Sequence, residues 1–216
     1  MGKEKTLRIT EIFFSIQGET SKMGLPTVFI RLTGCPLRCQ YCDTSYAFYG
    51  GEVMLIEDII YQVKKFNCKD ICVTGGEPLA QINSKKLLNQ LVDLDFQVSL
   101  ETGGSISLEG IHNKVKIVMD IKTPDSGEST KNRWENIDLL KKSDELKFVI
   151  CSREDYQWSK DIIEKYKINE ICPILLSPCS ESLDPRDLAE WILTDQLSIR
   201  FQMQIHKILW DNQSGK

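Results

Sequence analysis

Three cysteines, Cys35, Cys39 and Cys42, lie in the eight-residue segment CPLRCQYC. Thiolates this close in sequence can reach one metal centre, and three soft thiolate ligands suit zinc or an iron–sulfur cluster. A zinc site needs a fourth ligand from elsewhere in the chain, and structural zinc motifs more often contain paired CxxC knuckles. A four-iron cluster on these cysteines leaves one iron without a protein ligand. The spacing therefore favours a cluster whose fourth iron binds a substrate or cofactor.

Two further polar segments are candidate ligand-binding loops. VTGGEP (73–78) follows a predicted strand, and its two glycines allow a ligand to approach the backbone amides closely. SIQGET (15–20) contains Gln17, which donates and accepts hydrogen bonds, and Glu19, which accepts them, so it suits the edge of a flat heterocycle. Each segment on its own is more simply explained as a polar turn.

Two basic side chains are candidates for the same site. Arg31 lies inside the otherwise apolar segment TVFIRLT, where a charge is costly unless it meets a carboxylate from the protein or a substrate. His206 directly follows a predicted strand, whereas His112, the other histidine, lies in a surface loop. A lone histidine is usually structural, so the residues alone leave the role of His206 open.

Further cysteines raise the question of a second cluster. Cys68 and Cys72 form another CxxxC, and Cys172 and Cys179 lie near a later strand end. Cys72 and Cys172 fall inside apolar strand patterns, where cysteine behaves as a small hydrophobic residue. We therefore favour core packing over an auxiliary cluster.

The composition is that of a globular protein. The 216 residues are 41% hydrophobic and 27% charged, with a formal net charge of -4, which argues against a partner made of nucleic acid. No apolar run approaches the roughly 20 residues that cross a bilayer, so we expect no membrane partner. The N-terminal segment lacks an apolar signal core, so we expect a cytoplasmic, reducing location in which cysteines bind metal or pack rather than form disulfides.

Short apolar strands alternating with amphipathic helices must position these loops. Strands are predicted at 8–16, 27–33, 70–75, 97–102, 116–121, 145–150, 170–176 and 197–204, and helices at 55–66, 83–94, 134–142, 153–166 and 184–194. This alternation implies parallel strands joined by right-handed crossovers. A complete eightfold barrel usually needs about 250 residues. The chain therefore predicts an α/β fold, a shortened or partial (β/α) barrel of mostly parallel strands, in one domain over 1–216, with its ligand loops at the carboxyl ends of the strands.

The CxxxCxxC spacing, with Tyr41 just before the last cysteine, resembles the signature of radical S-adenosylmethionine (SAM) enzymes. Over about residues 9–210 the chain also contains, in order, IQGE, FIRLTGCPLRCQYCDT, VTGGEP, ETGGS, DIK, ELKFVI and QIHK. Together these motifs resemble the 7-carboxy-7-deazaguanine synthase family. The chain departs from the family pattern at Thr20, where members often have glycine, and in DIK (120–122), where many have SPK.

The resemblance implies a lyase with a radical SAM fold. Its reaction would convert 6-carboxy-5,6,7,8-tetrahydropterin to 7-carboxy-7-deazaguanine with loss of ammonia, on the route to queuosine and other 7-deazapurines. It implies a [4Fe–4S] cluster, SAM and Mg²⁺ as cofactors and an external one-electron donor of the flavodoxin or ferredoxin type. It also implies a cytoplasmic homodimer.

The resemblance further implies roles for individual residues, with no catalytic residue beyond the cofactor-derived radical. The cluster ligands are Cys35, Cys39 and Cys42, and the Mg²⁺ ligand is Thr44. Contacts with the pterin are implied for Ile16, Gln17, Gly18, Glu19, Arg31, Thr74, Glu101, His206 and Asn212. Contacts with SAM are implied for Tyr41, Cys42, Asp43, Gly76, Glu77, Asp120, Ile121, Lys122, Ser177, Pro178, Cys179 and Ser180.

Two other functions are compatible with parts of the pattern. A glycyl-radical activase is also a small radical SAM protein with CxxxCxxC, but it acts on a partner protein, and the IQGE segment with Arg31 suits a small carboxylated heterocycle instead. A non-enzymatic zinc scaffold would use the cysteines alone. Metal and sulfide analysis distinguishes the scaffold from the cluster, and turnover of a small molecule without a partner protein distinguishes the activase.

Overall fold

The computed structural model describes residues 5–211, 213 and 215, and these contain a single sheet of nine strands. The strands are β1 (Thr6–Ile16), β2 (Pro26–Leu32), β3 (Glu52–Leu55), β4 (Asp70–Gly75), β5 (Gln97–Thr102), β6 (Lys116–Ile121), β7 (Glu145–Ile150), β8 (Ile174–Pro178) and β9 (Arg200–Phe201). Their order is β3-β1-β2-β4-β5-β6-β7-β8-β9. β1 pairs antiparallel with β2 and β3, and the remaining neighbours are parallel.

The two faces of the sheet differ in chemical character because successive strand residues point to opposite sides. One face is apolar and belongs to the hydrophobic core; it includes Val28, Ile30, Ile71, Val73, Leu100, Ile117, Met119, Leu146, Phe148 and Leu176. The opposite face carries polar and charged side chains near the strand ends, among them Arg31, Thr74, Glu101, Asp120 and Lys147. We call it the cavity face.

Amphipathic helices cover the apolar face. They are α1 (Ile56–Val63), α2 (Ser84–Asp93), α3 (Arg153–Lys165) and α4 (Pro185–Thr194), and a short α5 (Ile205–Trp210) follows β9. Buried leucine and isoleucine side chains on α1, α2 and α4 pack into the core, and burying each such side chain contributes about 1.5–3 kcal/mol. Side chains cap two of the helices: Ser152 accepts a hydrogen bond from the Asp155 amide at α3, and Asp184 accepts one from the Arg186 amide at α4.

The segment between β1 and β2 runs under the amino ends of the parallel strands and meets the C-terminal region. The Ser21 amide donates to the Glu145 carboxylate at the start of β7, and Lys22 pairs with Asp70 at the start of β4. The Ile205 amide donates to the Gly18 carbonyl at 3.1 Å. Thr20 adopts a φ of 69°, a left-handed conformation that glycine tolerates best.

Most predicted element positions agree with the structure, and five differ, one of which is the short helix α5, which was not predicted. The strand predicted at 170–176 begins only at Ile174, after a 3-10 turn at Ile168–Glu170 and Pro173. The strand predicted at 197–204 is reduced to Arg200–Phe201. The helix predicted at 134–142 is instead a 3-10 helix at Trp134–Leu139. The edge strand β3 was not predicted. Parallel pairing is confirmed from β2 onward, although the β5–β6 and β6–β7 connections contain no α-helix in the described residues. No helix of the described chain has the length and apolar character needed to cross a membrane.

Candidate active site

The cavity face of the sheet lines a cavity of about 290 Å³. The three thiols of Cys35, Cys39 and Cys42 reach it from the loop after β2, and each is half-buried. Side chains from β2, β4, β5, β6 and β7 form its walls. The cavity therefore places a thiolate-rich loop and a polar sheet surface around one space.

The cysteine loop is bound to the glycine-rich loop after β4. The Glu77 amide donates to the Gly34 carbonyl at 2.8 Å, and the Gly76 amide donates to the Leu32 carbonyl at 3.1 Å. A side chain at Gly76 would place Cβ 2.4 Å from the Gly34 carbonyl oxygen, which is backbone and cannot move aside. Glycine is therefore required for these two loops to lie this close.

The Glu77 carboxylate holds the glycine-rich loop from inside. It is buried and accepts hydrogen bonds from the Leu79 amide at 3.0 Å, the Gly103 amide at 2.8 Å and the Thr102 hydroxyl at 2.9 Å. Burial raises the pKa of Glu77, and these three donors and Lys122 oppose that rise. Glu77 thus joins the loops after β4 and β5 and is turned away from the cavity.

A chain of alternating charges crosses the cavity floor. Lys147 lies 2.6 Å from the Glu19 carboxylate and 3.7 Å from Asp120, and Lys122 lies 3.1 Å from Asp120. Burial by itself lowers the pKa of Lys147, but Glu19 and Asp120 raise it above its ordinary value, so the ammonium stays charged. One Asp120 oxygen, Oδ1, is buried and has no hydrogen-bond partner among the described residues. It is an acceptor free for a ligand.

Lys122 also acts on the cysteines. Burial raises the pKa of the Cys39 thiol to about 11, and the nearby Lys122 ammonium opposes that rise. A positive charge beside the thiols favours their thiolate form, which is the form that ligates metal. Within the described residues no three His, Cys, Asp or Glu side chains converge on a single metal ion.

Arg31 lies against a separate group of aromatic and acidic residues. Its Nε donates to the Glu11 carboxylate at 2.7 Å, and the Tyr46 hydroxyl donates to the same oxygen at 2.8 Å. The guanidinium lies over the rings of Phe13 and Tyr46, 5.7 and 5.9 Å from their centroids. The sequence predicted a carboxylate partner for Arg31, and the structure supplies Glu11 while Arg31 still lines the cavity.

Glu101 is held at the centre of the cavity face by two donors. The Thr74 hydroxyl donates to one carboxylate oxygen at 2.9 Å and the Gln17 amide to the other at 3.3 Å. Gln17 is itself buried, and its side-chain oxygen accepts from the Glu19 amide. Glu101 therefore has a fixed orientation and keeps acceptor capacity toward the cavity.

His206 and its neighbours close the cavity from the C-terminal side. The imidazole packs so closely on Gly18 that a side chain there would bring Cβ within 1.9 Å of Nδ1. Burial lowers the pKa of His206 below its ordinary value, against the effect of Glu19 and Asp43, so the ring is neutral at pH 7. Lys207 lies 3.1 Å from Asp43. Burial tends to raise the pKa of Asp43, but Lys207 and the Thr44 hydroxyl bring it down to about 2.

Comparison with known proteins assigns the family. The model of the Radical SAM superfamily matches residues 29–177. A 7-carboxy-7-deazaguanine synthase from Chlorobaculum tepidum is 42% identical over 214 residues, covering 98% of this chain and 97% of that protein. One from Clostridium acetobutylicum is 36% identical over 94% of this chain and 96% of its own length. The chain belongs to the 7-carboxy-7-deazaguanine synthase family.

The fold agrees with this assignment. The crystal structure of QueE from Escherichia coli superposes with a TM-score of 0.77 at 20% identity and covers 94% of this chain and 99% of that one. SuiB from Streptococcus suis, in a structure bound to S-adenosylmethionine, gives a TM-score of 0.56 at 18% identity, covering 79% of this chain and 48% of that one. The predicted α/β fold of radical SAM type is confirmed. As a radical SAM family member, the protein uses a [4Fe–4S] cluster and SAM, and the three-thiol loop and the free Asp120 oxygen suit these two groups.

Most residues implied by resemblance to the 7-carboxy-7-deazaguanine synthase family line the one cavity. They are Ile16, Gln17, Gly18, Glu19, Arg31, Cys35, Cys39, Tyr41, Cys42, Asp43, Thr44, Thr74, Gly76, Glu101, Asp120, Lys122, Cys179, Ser180 and His206. Glu77, Ile121, Ser177 and Pro178 are buried outside its lining, and Ile121 belongs to the hydrophobic core. Asn212 lies outside the described residues.

Sequence reasoning missed Lys147 and Glu11. Lys147 interrupts the apolar segment ELKFVI just as Arg31 interrupts TVFIRLT, so the same signal was present. Glu11 lies in a strand of alternating polar and apolar residues, and only its charge distinguishes it from its neighbours.

The structure also bears on the cysteines considered for a second cluster. Cys72 and Cys172 are buried, and the Cys68 thiol donates to the Pro26 carbonyl. In the described chain these contacts agree with core packing.

Proposed function

We propose that the protein converts 6-carboxy-5,6,7,8-tetrahydropterin to 7-carboxy-7-deazaguanine with loss of ammonia. The observation that carries this proposal is the single cavity that combines the three-cysteine loop with Gln17, Arg31 and Glu101. Family membership over nearly the whole chain supports it. We also propose that residues 1–216 form one radical SAM domain.

The cluster and SAM, when bound, supply the electron and the carbon-centred radical that abstracts hydrogen from the substrate. Cys35, Cys39 and Cys42 would hold the cluster, and the Lys122 ammonium favours the thiolate forms of Cys35 and Cys39. The free Oδ1 of Asp120 would accept a hydrogen bond from a hydroxyl or ammonium of SAM. Gly76 lets the glycine-rich loop lie directly against the cysteine loop, so both loops border the cofactor space.

The remaining cavity residues would bind and orient the pterin. Among the described residues, Arg31 donates a protein hydrogen bond only through Nε, to Glu11. Its two terminal nitrogens can therefore form a bidentate pair with the substrate carboxylate. Gln17 and Glu101 present an amide and an acceptor to the edge of the ring. His206 is neutral at pH 7, so its ring can donate one hydrogen bond to the pterin and accept another from it.

Magnesium, subunit association and electron delivery belong to the same proposal. Thr44 would offer a hydroxyl oxygen to Mg²⁺, a cation that prefers oxygen ligands. A cation at this position would orient the substrate rather than react with it. We further propose a homodimer and an external flavodoxin- or ferredoxin-type donor in the cytoplasm, and a place for the product on the route to queuosine or a related 7-deazapurine.

The test is anaerobic incubation with carboxytetrahydropterin, SAM, Mg²⁺ and a chemical reductant, with detection of products by mass spectrometry. We expect 7-carboxy-7-deazaguanine and ammonia to form without any partner protein, which a glycyl-radical activase would require. The Cys39→Ala protein is the control and should form neither. Cleavage of SAM without any deazaguanine would contradict the proposed substrate while leaving family membership intact.

A further inference from the structure

Cys151 and Cys179 lie directly after two neighbouring parallel strands. Ile150 at the end of β7 is the register partner of Pro178 at the end of β8. The Cys179 amide donates to the Ile150 carbonyl at 2.8 Å, which continues the pairing by one residue. Neighbouring strands lie about 4.8 Å apart, and this falls within the range of about 4.4–6.8 Å between Cα atoms that a disulfide requires.

The side chains of this pair face one another beside the cavity. Cys179 is buried at the wall of the cavity, Cys151 is half-buried, and both thiols are free. The Cys151 thiol is a hydrogen-bond partner of Cys179, as is Ser182. The contact with Cys151, helped by Ser182 and the Glu181 amide, lowers the pKa of the Cys179 thiol to about 5. The same contact raises the pKa of Cys151.

This arrangement has the parts of a reactive dithiol. A thiol with a lowered pKa is the attacking group in disulfide exchange when it is accessible from a cavity, and a second thiol within bonding distance resolves the product. A metal site is a weaker explanation, because two thiols need further ligands and no third His, Cys, Asp or Glu converges with them among the described residues. The pair is distinct from the proposed cluster ligands.

We propose that Cys151 and Cys179 form a thiol–disulfide exchange site that reacts with low-molecular-weight disulfides such as glutathione disulfide. The Cys179 thiolate attacks one sulfur of the small disulfide, forms a mixed disulfide and releases the first glutathione thiolate, which takes up the proton that Cys179 lost. Cys151 then loses its proton and attacks the Cys179 sulfur, and the second glutathione leaves with that proton. The protein loses two electrons and two protons, and one glutathione disulfide becomes two glutathione thiols. The site goes beyond the proposed function and does not depend on it.

The experiment uses the anaerobically purified, cluster-containing protein with glutathione disulfide as the probe. After an acid quench the free thiols are alkylated, the protein is digested with trypsin, and the peptides are mapped by mass spectrometry. The expected product links peptide 148–153 to peptide 168–186. Cluster absorbance is followed throughout, and its retention shows that the cluster ligands were not oxidised.

Matched variants assign the sulfurs. Peptide 168–186 also contains Cys172, so the link should persist in Cys172→Ser and be lost in both Cys151→Ser and Cys179→Ser. Cys151→Ser should retain glutathione on Cys179, since the resolving thiol is gone. The wild-type map needs no variant to fold, and full alkylation of both thiols after exposure to the disulfide would overturn the proposal. So would a link that persists in Cys179→Ser.

Discussion

Replacing Arg31 with lysine tests whether this side chain recognises the substrate. In the structure Nε of Arg31 donates to Glu11 at 2.7 Å, and no other protein hydrogen bond is formed by its guanidinium among the described residues. Lysine keeps the positive charge but lacks the planar fork that forms two parallel bonds to a carboxylate. Arg31→Lys therefore removes one bond to the substrate while preserving the charge.

The expected magnitude follows from the type of bond. A hydrogen bond to a charged group contributes about 1.5–3 kcal/mol, and each 1.4 kcal/mol changes an equilibrium about tenfold. Binding of carboxytetrahydropterin should weaken by about 10–150-fold. Reductive cleavage of SAM in the absence of pterin should change less than about twofold, because Arg31 contacts Glu11, Phe13 and Tyr46 rather than the three proposed cluster ligands.

The assay compares the KM for the pterin with the rate of deoxyadenosine release without it. Arg153→Lys is the matched control, since Arg153 stacks on Tyr156 and Trp191 outside the cavity, and it should leave both quantities unchanged. Equal losses of pterin affinity and SAM cleavage in Arg31→Lys would show that the arginine acts on the structure of the site. An unchanged KM would show that the guanidinium does not meet the substrate.

Three further substitutions test other parts of the site. Cys39→Ala should lose the cluster, measured as iron and sulfide content, and a variant that still cleaves SAM normally would refute the ligand assignment. Gly18→Ala should displace His206, because the alanine Cβ would lie 1.9 Å from Nδ1 of the imidazole. Turnover should then fall about 100-fold while the iron content stays unchanged. Normal turnover would contradict the contact between Gly18 and His206. Lys147→Met should destabilise the fold by about 3–5 kcal/mol in thermal unfolding, since buried Glu19 loses its partner. In the wild type burial raises the pKa of Glu19, but Lys147 and Gln204 together bring it below its ordinary value. The stabilisation is therefore present above pH 4.5 and lost on acidification, and a deficit that grows toward low pH would contradict it.

The sequence located the strands of the parallel sheet well because their apolar runs are short and bounded by turn residues. Strands β4 to β7 agree with the predicted positions at both ends. The last predicted strand was largely wrong because an alternating pattern around residues 197–204 resembles a strand, whereas the chain there turns to meet Gly18. β3 escaped prediction because four mostly exposed edge residues carry little periodic signal.

The chemistry of the cysteine loop could be read from the residues alone, since three thiols at this spacing lie on one short segment and need no distant partner. The partners of the buried charges depend on how the strands assemble in three dimensions. Lys147 meets Glu19 across 128 positions of sequence and Thr74 meets Glu101 across 27, and no local pattern encodes which strand ends become neighbours. The cavity depends on the order and register of the strands whose side chains form its walls, and burial of the apolar face as a whole sets that register.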